Sequence, residues 1–326
     1  MAELGSMVSR DRSTINRIKE EIAKVIVGQE DVVDGFMRAL MANGHVLIEG
    51  VPGLAKTLMI KSLAKAIGCD FSRVQFTPDL LPTDIIGITA YDKQKGFYVV
   101  KGPIFSNLVL ADEINRAPPK VQSALLECMQ ERQATIGNQT FPMKQPFFVM
   151  ATQNPLENLG TYPLPEAQMD RFMFKLNIGY PTLDNEEEIL KKNISTRTFE
   201  SFPLKAVTSP SKILTIQNDV QKIYIDKKIE KYIVKIVDAT RHPDTYKITL
   251  GKYIEWGASP RASIGIFISA KAQALMSGKT FVIPEYVKKV VPDVLRHRLI
   301  INYEGQAEGI TPNKVISEVL EKIEVP

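Results

Sequence analysis

One stretch of the chain combines residue types and a spacing that suit the binding of a phosphate group. Gly50-Val51-Pro52-Gly53-Leu54-Ala55-Lys56-Thr57 follows a short apolar run and precedes a run with helical periodicity. Backbone N–H groups of such a turn and of a helix N-terminus attract an anion. Lys56 can reach the terminal phosphates and Thr57 can bind Mg²⁺. Glycine is usual where Ala55 stands, and alanine is tolerated if this position is already helical. The alternative is an ordinary Gly/Pro turn with a surface lysine.

A second apolar run ends in two adjacent carboxylates. The run 108–111 is typical of a buried strand, and Asp112 and Glu113 follow it. Beside a phosphate-binding loop, Asp112 would orient Mg²⁺ through its water shell. Glu113 would polarise an attacking water as general base, a second acid that a GTPase or a small-molecule kinase does not need. The pair predicts an ATPase with Thr57 and Asp112 at the metal; a solvated acidic turn is the alternative.

Two polar residues follow predicted elements further along the chain. Asn154 comes after the apolar run 147–151 and could hold the attacking water against the γ-phosphate, although an Asn-Pro turn explains it equally well. Arg261 lies in Ser259-Pro260-Arg261, at the start of a predicted helix, and could swing onto the γ-phosphate. Such a movement would couple the state of the nucleotide to the angle between two domains.

An arginine is a candidate for charge neutralisation between subunits. Arg171 begins the predicted strand 172–176 and could stabilise the transition state in a neighbouring subunit. The alternative is a surface ion pair with Asp170 or Glu166. Arg116, three residues after Glu113, is the rival for the same role.

The elements that must position these residues fall into two regions. Short apolar runs followed by polar residues predict parallel strands at 45–49, 108–111, 147–151 and 172–176. The segment 75–101 is predicted to form a loop followed by a hairpin, and 133–145 a second hairpin. Beyond Pro181 helical periodicity dominates, at 185–192, 211–225, 228–239, 262–276 and 284–296. We expect an α/β nucleotide-binding domain over 7–181 and an all-α domain over 182–326.

Composition excludes several classes of protein. The 326 residues carry 41 Lys and Arg against 37 Asp and Glu, a net charge of +4, which argues against a strongly basic nucleic-acid surface. Two cysteines cannot build a disulfide scaffold. No apolar run reaches the roughly 18 residues of a membrane span. We therefore expect a cytoplasmic protein with no membrane partner and no nucleic-acid partner.

Taken in order, these motifs resemble the MoxR family of AAA+ ATPases. The matching stretches span nearly the whole chain from Val27 onward, at 50–57, 110–127, 151–155, 164–172 and 259–262. The resemblance implies an α/β phosphate-loop NTPase fold followed by a helical lid, with ATP and Mg²⁺ as cofactors. It also implies that Asn154 is sensor 1, Arg171 the arginine finger and Arg261 sensor 2.

The resemblance extends to nucleotide-binding residues and to partners. It implies an adenine pocket and a phosphate loop formed by Val27, Gly28, Gln29, Gly50, Val51, Pro52, Gly53, Leu54, Ala55, Lys56, Thr57 and Leu58, and alanine is normal at position 55 in this family. The hairpins correspond to the helix-2 and pre-sensor-1 insertions shared with magnesium-chelatase ATPase subunits. The resemblance also implies a hexameric ring, a chaperone-like remodelling or maturation role and a partner with a von Willebrand factor A domain.

Two other functions fit parts of the same pattern. A nucleic-acid loader or helicase would use the second hairpin on DNA, but Lys144 is the one cation in 133–145. A scaffold that binds ATP without useful turnover would not need Glu113, Asn154 and Arg171 together.

Six further residues are expected to be structural. His45 is assigned to packing or a turn, and His242 and His297 to the surface. Trp256 is expected to anchor the packing of the second domain. Phe97 and Tyr98 are expected to form aromatic cross-strand pairs within their own hairpin, the alternative being contact with a substrate.

Overall fold

The computed structural model describes residues 2–94, 96–155, 160–192 and 198–326. Five parallel strands form a central sheet in the order β2-β5-β8-β1-β9. The strands of this sheet are β1 Val46–Glu49, β2 Phe71–Gln75, β5 Leu108–Asp112, β8 Phe148–Gln153 and β9 Phe174–Asn177. The parallel sheet predicted from the apolar runs is therefore confirmed, with β9 at one edge.

Helices cover both faces of this sheet, which explains why its central strands are apolar at consecutive positions. In β1 the side chains of Val46 and Ile48 join one hydrophobic cluster, and Leu47 joins another on the opposite face. The alternation follows from the two-residue period of a strand. The first half of the chain contributes the helices α1 Ala2–Ala23, α2 Glu30–Met41, α3 Lys56–Ile67, α4 Pro82–Ile86, α5 Pro119–Glu131 and α6 Glu166–Met169.

Both predicted hairpins are present beside the sheet. Their strands are β3 Gly87–Asp92 with β4 Gly96–Lys101, and β6 Gln133–Ile136 with β7 Gln139–Pro142. In the first hairpin Tyr91 lies opposite Phe97, and the two ring centroids are 5.1 Å apart. The expected aromatic cross-strand pair is thus observed for Phe97, whereas Tyr98 lies opposite Ala90 and has no aromatic residue across from it. Lys95, within the expected turn, lies outside the described residues.

The rest of the chain is mainly helical and packs against the same hydrophobic cluster as α1, α2 and α3. Its elements are α7 Leu183–Lys192, α8 Pro210–Gln221, α9 Lys227–Ala239, β10 Ile254–Trp256, α10 Pro260–Met276, α11 Pro284–Leu295, β11 Ile300–Ile301, α12 Tyr303–Ala307 and α13 Pro312–Lys322. The helical lid is confirmed, with one correction: the region is not all-α, because β10 and β11 pair in an antiparallel two-stranded sheet. None of the helices in the described part of the chain combines the length and the apolar character needed to cross a bilayer.

The structure also corrects two residue expectations in this region. Trp256 is 66% exposed, so it does not anchor the packing of the lid. His297 is buried rather than on the surface. It follows the end of α11, and its Nε2 donates a hydrogen bond to the carbonyl of Phe172 at 3.1 Å. The hydrogen bond to the Phe172 carbonyl satisfies one ring nitrogen of His297, which helps this polar side chain to be buried.

Candidate nucleotide-binding site

The carboxyl ends of the central strands border a cleft of about 630 Å³, a volume that suits a small-molecule ligand. Its lining combines an apolar group from the α1–α2 turn, α3 and α7 with a polar group from the loop after β1 and from β2, β5 and β8. The apolar group is Val25, Ile26, Val27, Leu58, Pro181 and Ile189, and the polar group includes Lys56, Thr57, Arg73, Gln75, Asp112, Glu113 and Asn154. Gln29 and the loop residues Pro52, Gly53, Leu54 and Ala55 complete it. Gly28 and Val51 are chain neighbours of lining residues and Gly50 is hydrogen-bonded to Lys56, but these three residues do not themselves line the cleft.

The loop after β1 places a lysine at the start of α3. The Nζ atom of Lys56 donates a hydrogen bond to the carbonyl of Gly50 at 2.5 Å. Burial lowers the pKa of Lys56, and the nearby carboxylates of Asp112 and Glu113 oppose that shift. Gly53 has φ of +87°, a conformation that glycine adopts without a steric penalty. The lysine and the two acids are thus brought to one place, as the sequence predicts.

Ala55 does not have the helical conformation expected of it. It is the N-cap of α3 and has φ +56° and ψ +21°, in the left-handed region. This conformation brings Cβ too close to the following carbonyl oxygen and costs an L-residue about 1–2 kcal/mol. Alanine therefore stands here at a conformational cost, because the loop keeps the left-handed turn for which glycine is the usual residue.

The carboxylate pair is fixed by a threonine that sequence reasoning missed. Thr152, on the neighbouring strand β8, donates its hydroxyl to Oδ1 of Asp112 at 2.7 Å. The hydroxyl oxygen of Thr152 in turn accepts the backbone N–H of Glu113 at 2.8 Å. Glu113 has φ of +57°, so the chain turns sharply after β5. Thr152 therefore fixes the position of Asp112 and of the Glu113 backbone at the carboxyl end of β5.

Side chains from β2 bind the same two acids. Arg73 donates to Oδ2 of Asp112 from Nη2 at 2.6 Å and from Nε at 3.1 Å. Gln75 donates its Nε2 to Oε2 of Glu113 at 2.8 Å, and Arg116 donates its Nη1 to that oxygen at 3.0 Å. Arg116 is thus placed against the glutamate of its own chain. The alternation of polar Arg73, apolar Val74 and polar Gln75 is the sequence signal that could have indicated this strand.

The oxygen donors in the cleft fit Mg²⁺. In the described residues, no group of three or more His, Cys, Asp or Glu side chains could hold a metal ion. Magnesium does not require such a group, because it keeps several waters and binds one or two carboxylates together with substrate phosphates. The carboxylate of Asp112 and the hydroxyl of Thr57, which both line the cleft, are hard oxygen donors of this kind.

The turn predicted to line the adenine pocket is packed against the chain that follows β9. Gln29 donates its Nε2 to the carbonyl of Gly179 at 3.1 Å. Gly28 has φ of +68°, and a Cβ atom there would lie 2.3 Å from Nδ2 of Asn185 on α7. Glycine is therefore required both for the conformation and for the close approach of α7.

Asn154 and the two predicted arginines are found in different places. Asn154 directly follows β8, is 7% exposed and lines the cleft with Glu113. Arg171 lies in the turn before β9, not at its first residue, and shares with Arg261 a second cleft of about 250 Å³ that Arg132 and Arg298 also line. Neither Arg171 nor Arg261 lines the cleft that contains Lys56.

An aspartate organises this second cleft. Asp170 accepts hydrogen bonds from Nε of Arg298 at 2.6 Å and from the Ser259 hydroxyl at 3.0 Å. Its Oδ2 lies 3.5 Å from Nη1 of Arg261. Asp170, considered above as an ion-pair partner for Arg171, is thus paired with Arg298 and Arg261 instead. Arg261 is held to the turn before β9 and not to the phosphate loop of its own chain.

Comparisons with known proteins agree with this geometry. Residues 45–174 match the family model of the ATPase family associated with various cellular activities (AAA), and residues 250–319 match the AAA lid domain. The chain is 47% identical to Chaperone MoxR1 of Mycobacterium tuberculosis over 96% of this chain and 82% of that protein. It is 30% identical to Protein MoxR of Methylorubrum extorquens over 98% of both.

A solved structure is also similar. The crystal structure of a protein from Cytophaga hutchinsonii, provisionally described as an ATPase, matches with a TM-score of 0.93 and 47% identity, over 100% of this chain and 98% of that one. The sequence relatives cover nearly the whole chain at 30% identity or more, and this chain belongs to the MoxR family of AAA+ ATPases.

Proposed function

We propose that this chain binds ATP with Mg²⁺ in the 630 Å³ cleft and hydrolyses it. The observation that carries the proposal is the meeting of Lys56, Thr57, Asp112, Glu113 and Asn154 in that single cleft. A magnesium ion there would neutralise charge on the β- and γ-phosphates.

Each residue has a chemical role in this proposal. The N–H groups at the start of α3 and the Lys56 ammonium bind the phosphates, and Thr57 and Asp112 hold the metal. Asn154 orients a water against the γ-phosphorus. The water oxygen forms a bond to that phosphorus as the bond to the β-bridging oxygen breaks, and Glu113 accepts the proton. Gln75 and Arg116 hold the Glu113 carboxylate in place for this step.

We further propose that Arg171 serves the nucleotide of a neighbouring subunit. Support comes from its position beside Asp170 in the second cleft, away from the phosphate loop of its own chain. A ring of subunits would bring this cleft to the next subunit's nucleotide, and the resemblance to the family favours a hexamer. For Arg261 to reach the γ-phosphate of its own chain, as sensor 2 would, its contact with Asp170 must break.

The work done by hydrolysis is proposed to be chaperone-like. The name of the Mycobacterium tuberculosis relative, Chaperone MoxR1, supports remodelling or maturation of a partner protein. The family resemblance suggests a partner with a von Willebrand factor A domain. The nucleic-acid alternative has weaker support, because Lys144, the one cation in 133–145, forms an ion pair with Asp70. Tight DNA binding that is lost steeply with added salt would favour that alternative.

Mixing two inactive variants tests the proposal. Arg171→Ala and Lys56→Ala should each be nearly inactive, since a finger from a neighbour can be worth on the order of 10³ in rate. Mixed rings contain interfaces with an intact loop facing an intact Arg171, so part of the activity should return. Arg116→Ala mixed with Lys56→Ala tests the rival finger. If mixed rings form and stay as inactive as their parts, the role of Arg171 between subunits is wrong.

A further inference from the structure

The carboxylate expected to hold the metal already has a cationic partner. Two nitrogens of Arg73 donate to Oδ2 of Asp112, at 2.6 and 3.1 Å, and Nη2 also donates to Oε1 of Gln75 at 2.7 Å. The other oxygen of Asp112 accepts the hydroxyl of Thr152. Both oxygens of the metal-binding carboxylate are therefore engaged in this structure.

The register of the sheet explains how Arg73 reaches Asp112. Arg73 lies on β2 and is paired in register with Leu110, two residues before Asp112 on β5. Side chains two residues apart on a strand point to the same face. The guanidinium therefore reaches the carboxylate diagonally across adjacent strands, and both residues line the nucleotide cleft.

Arg73 is also free to leave. Its side chain is 48% exposed, whereas that of Asp112 is 16% exposed, so the arginine can move into solvent without opening the core. A magnesium ion placed against Asp112 and the guanidinium compete for the same negative charge and repel one another. Because the arginine side of this ion pair is exposed to water, the pair is weak enough for a bound cation to displace the guanidinium.

We propose that Arg73 is the resident counter-ion of the Asp112 carboxylate, that Mg²⁺ must displace it, and that Arg73 thereby sets the coupling between metal binding and nucleotide binding. The inference rests on the proposed nucleotide site. Without Arg73, an uncompensated carboxylate would repel nucleotide phosphates when metal is absent, and metal would bind Asp112 without competition when it is present. Both effects increase the coupling.

Equilibrium binding of a fluorescent ADP analogue measures this coupling without relying on hydrolysis. For each protein, the dissociation constant is measured in EDTA and in saturating Mg²⁺, and the ratio of the two reports how strongly metal and nucleotide favour each other. For Arg73→Gln we expect this ratio to rise about fivefold over wild type, the equivalent of about 1 kcal/mol. Arg17→Gln is the matched control, because Arg17 is an exposed arginine on α1 that does not line the nucleotide cleft. Its ratio should stay within about twofold of wild type.

A double-mutant cycle separates competition for Asp112 from other effects. In an Asp112→Asn background, Arg73→Gln should no longer change the ratio. A ratio for Arg73→Gln that is equal to or smaller than that of wild type would overturn the inference. If both dissociation constants shift by the same factor, the ratio is unchanged and Arg73 merely attracts the phosphates. Failure of the proposed nucleotide site would give other results: the wild-type protein would not bind the analogue, or Lys56→Ala would bind it as tightly as wild type does.

Discussion

His45 should make the protein less stable in mild acid. It directly precedes β1 and is 5% exposed. Its Nδ1 accepts the backbone N–H of Val149 at 3.0 Å, and its Nε2 donates to the carbonyl of Met129 at 3.2 Å. The neutral imidazole protonated at Nε2 satisfies both groups, whereas a second proton at Nδ1 would face another N–H. Burial, with the positive charge of Arg132 adding to it, lowers the pKa of His45 from 6.5 to about 3.

The sign and size of the effect follow from these pKa values. Below pH 6.5 His45 is protonated in the unfolded chain, whereas in the folded chain it stays neutral until the pH approaches about 3. The unfolded state is therefore favoured as the pH falls through this window. At pH 5 the loss of unfolding free energy from His45 is about 2 kcal/mol. The pKa of buried His297 is also lowered well below 6.5, mainly by burial, and adds a loss of the same sign.

Urea unfolding followed by circular dichroism tests this account. His45→Gln removes the titrating group, so the variant should be less stable than wild type near pH 7.5 through its altered hydrogen bonds. Near pH 5 this difference in unfolding free energy should shrink by about 2 kcal/mol, because only the wild-type protein is destabilised by protonation of His45 in the unfolded state. His242→Gln changes an exposed histidine and serves as control. A difference between wild type and His45→Gln that is the same at both pH values would refute the reasoning.

Three further substitutions have defined outcomes. Ala55→Gly relieves the left-handed strain but raises the entropy of the unfolded chain, so thermal unfolding should show a net stabilisation below about 1 kcal/mol; clear destabilisation would contradict the strain. Lys56→Ala should abolish nucleotide binding in a titration with a fluorescent ATP analogue while circular dichroism stays unchanged, and unaltered affinity would remove the loop from the site. Arg298→Ala leaves the largely buried carboxylate of Asp170 without its principal partner and should cost about 3–5 kcal/mol in urea unfolding. Exposed Arg261→Ala, the control for that measurement, should cost less than about 1 kcal/mol, and equal losses would contradict the burial argument.

The sequence was informative where one local pattern determines one local structure. The apolar run at 108–111 predicts β5 because a strand covered on both faces needs apolar residues at consecutive positions. Asp112 and Glu113 then lie at the carboxyl end of a central strand, next to the loop after β1. The parallel sheet, both hairpins and the meeting of Lys56 with the two acids were all predictable on this basis.

The remaining features depend on tertiary neighbours. β2 is an edge strand in which Val74 is the one buried residue, so it carries no apolar run, and Arg73 and Gln75 could not be assigned to the site. The left-handed turn at Ala55 is imposed by the loop, against the preference of alanine. His297 is buried because the turn after α11 packs against the segment before β9, a contact between residues 125 positions apart.

The central claim is that Glu113 acts as general base for ATP hydrolysis in this cleft. Single-turnover hydrolysis of radiolabelled ATP, measured beside equilibrium binding for wild type and Glu113→Gln, tests it most directly. Glu321→Gln, an exposed change on α13, is the control and should match wild type in both assays. We predict that Glu113→Gln binds ATP with Mg²⁺ at least as tightly as wild type and hydrolyses it roughly 10²-fold more slowly. Hydrolysis by Glu113→Gln within about a factor of three of wild type, far less than the loss of a general base causes, would contradict the account.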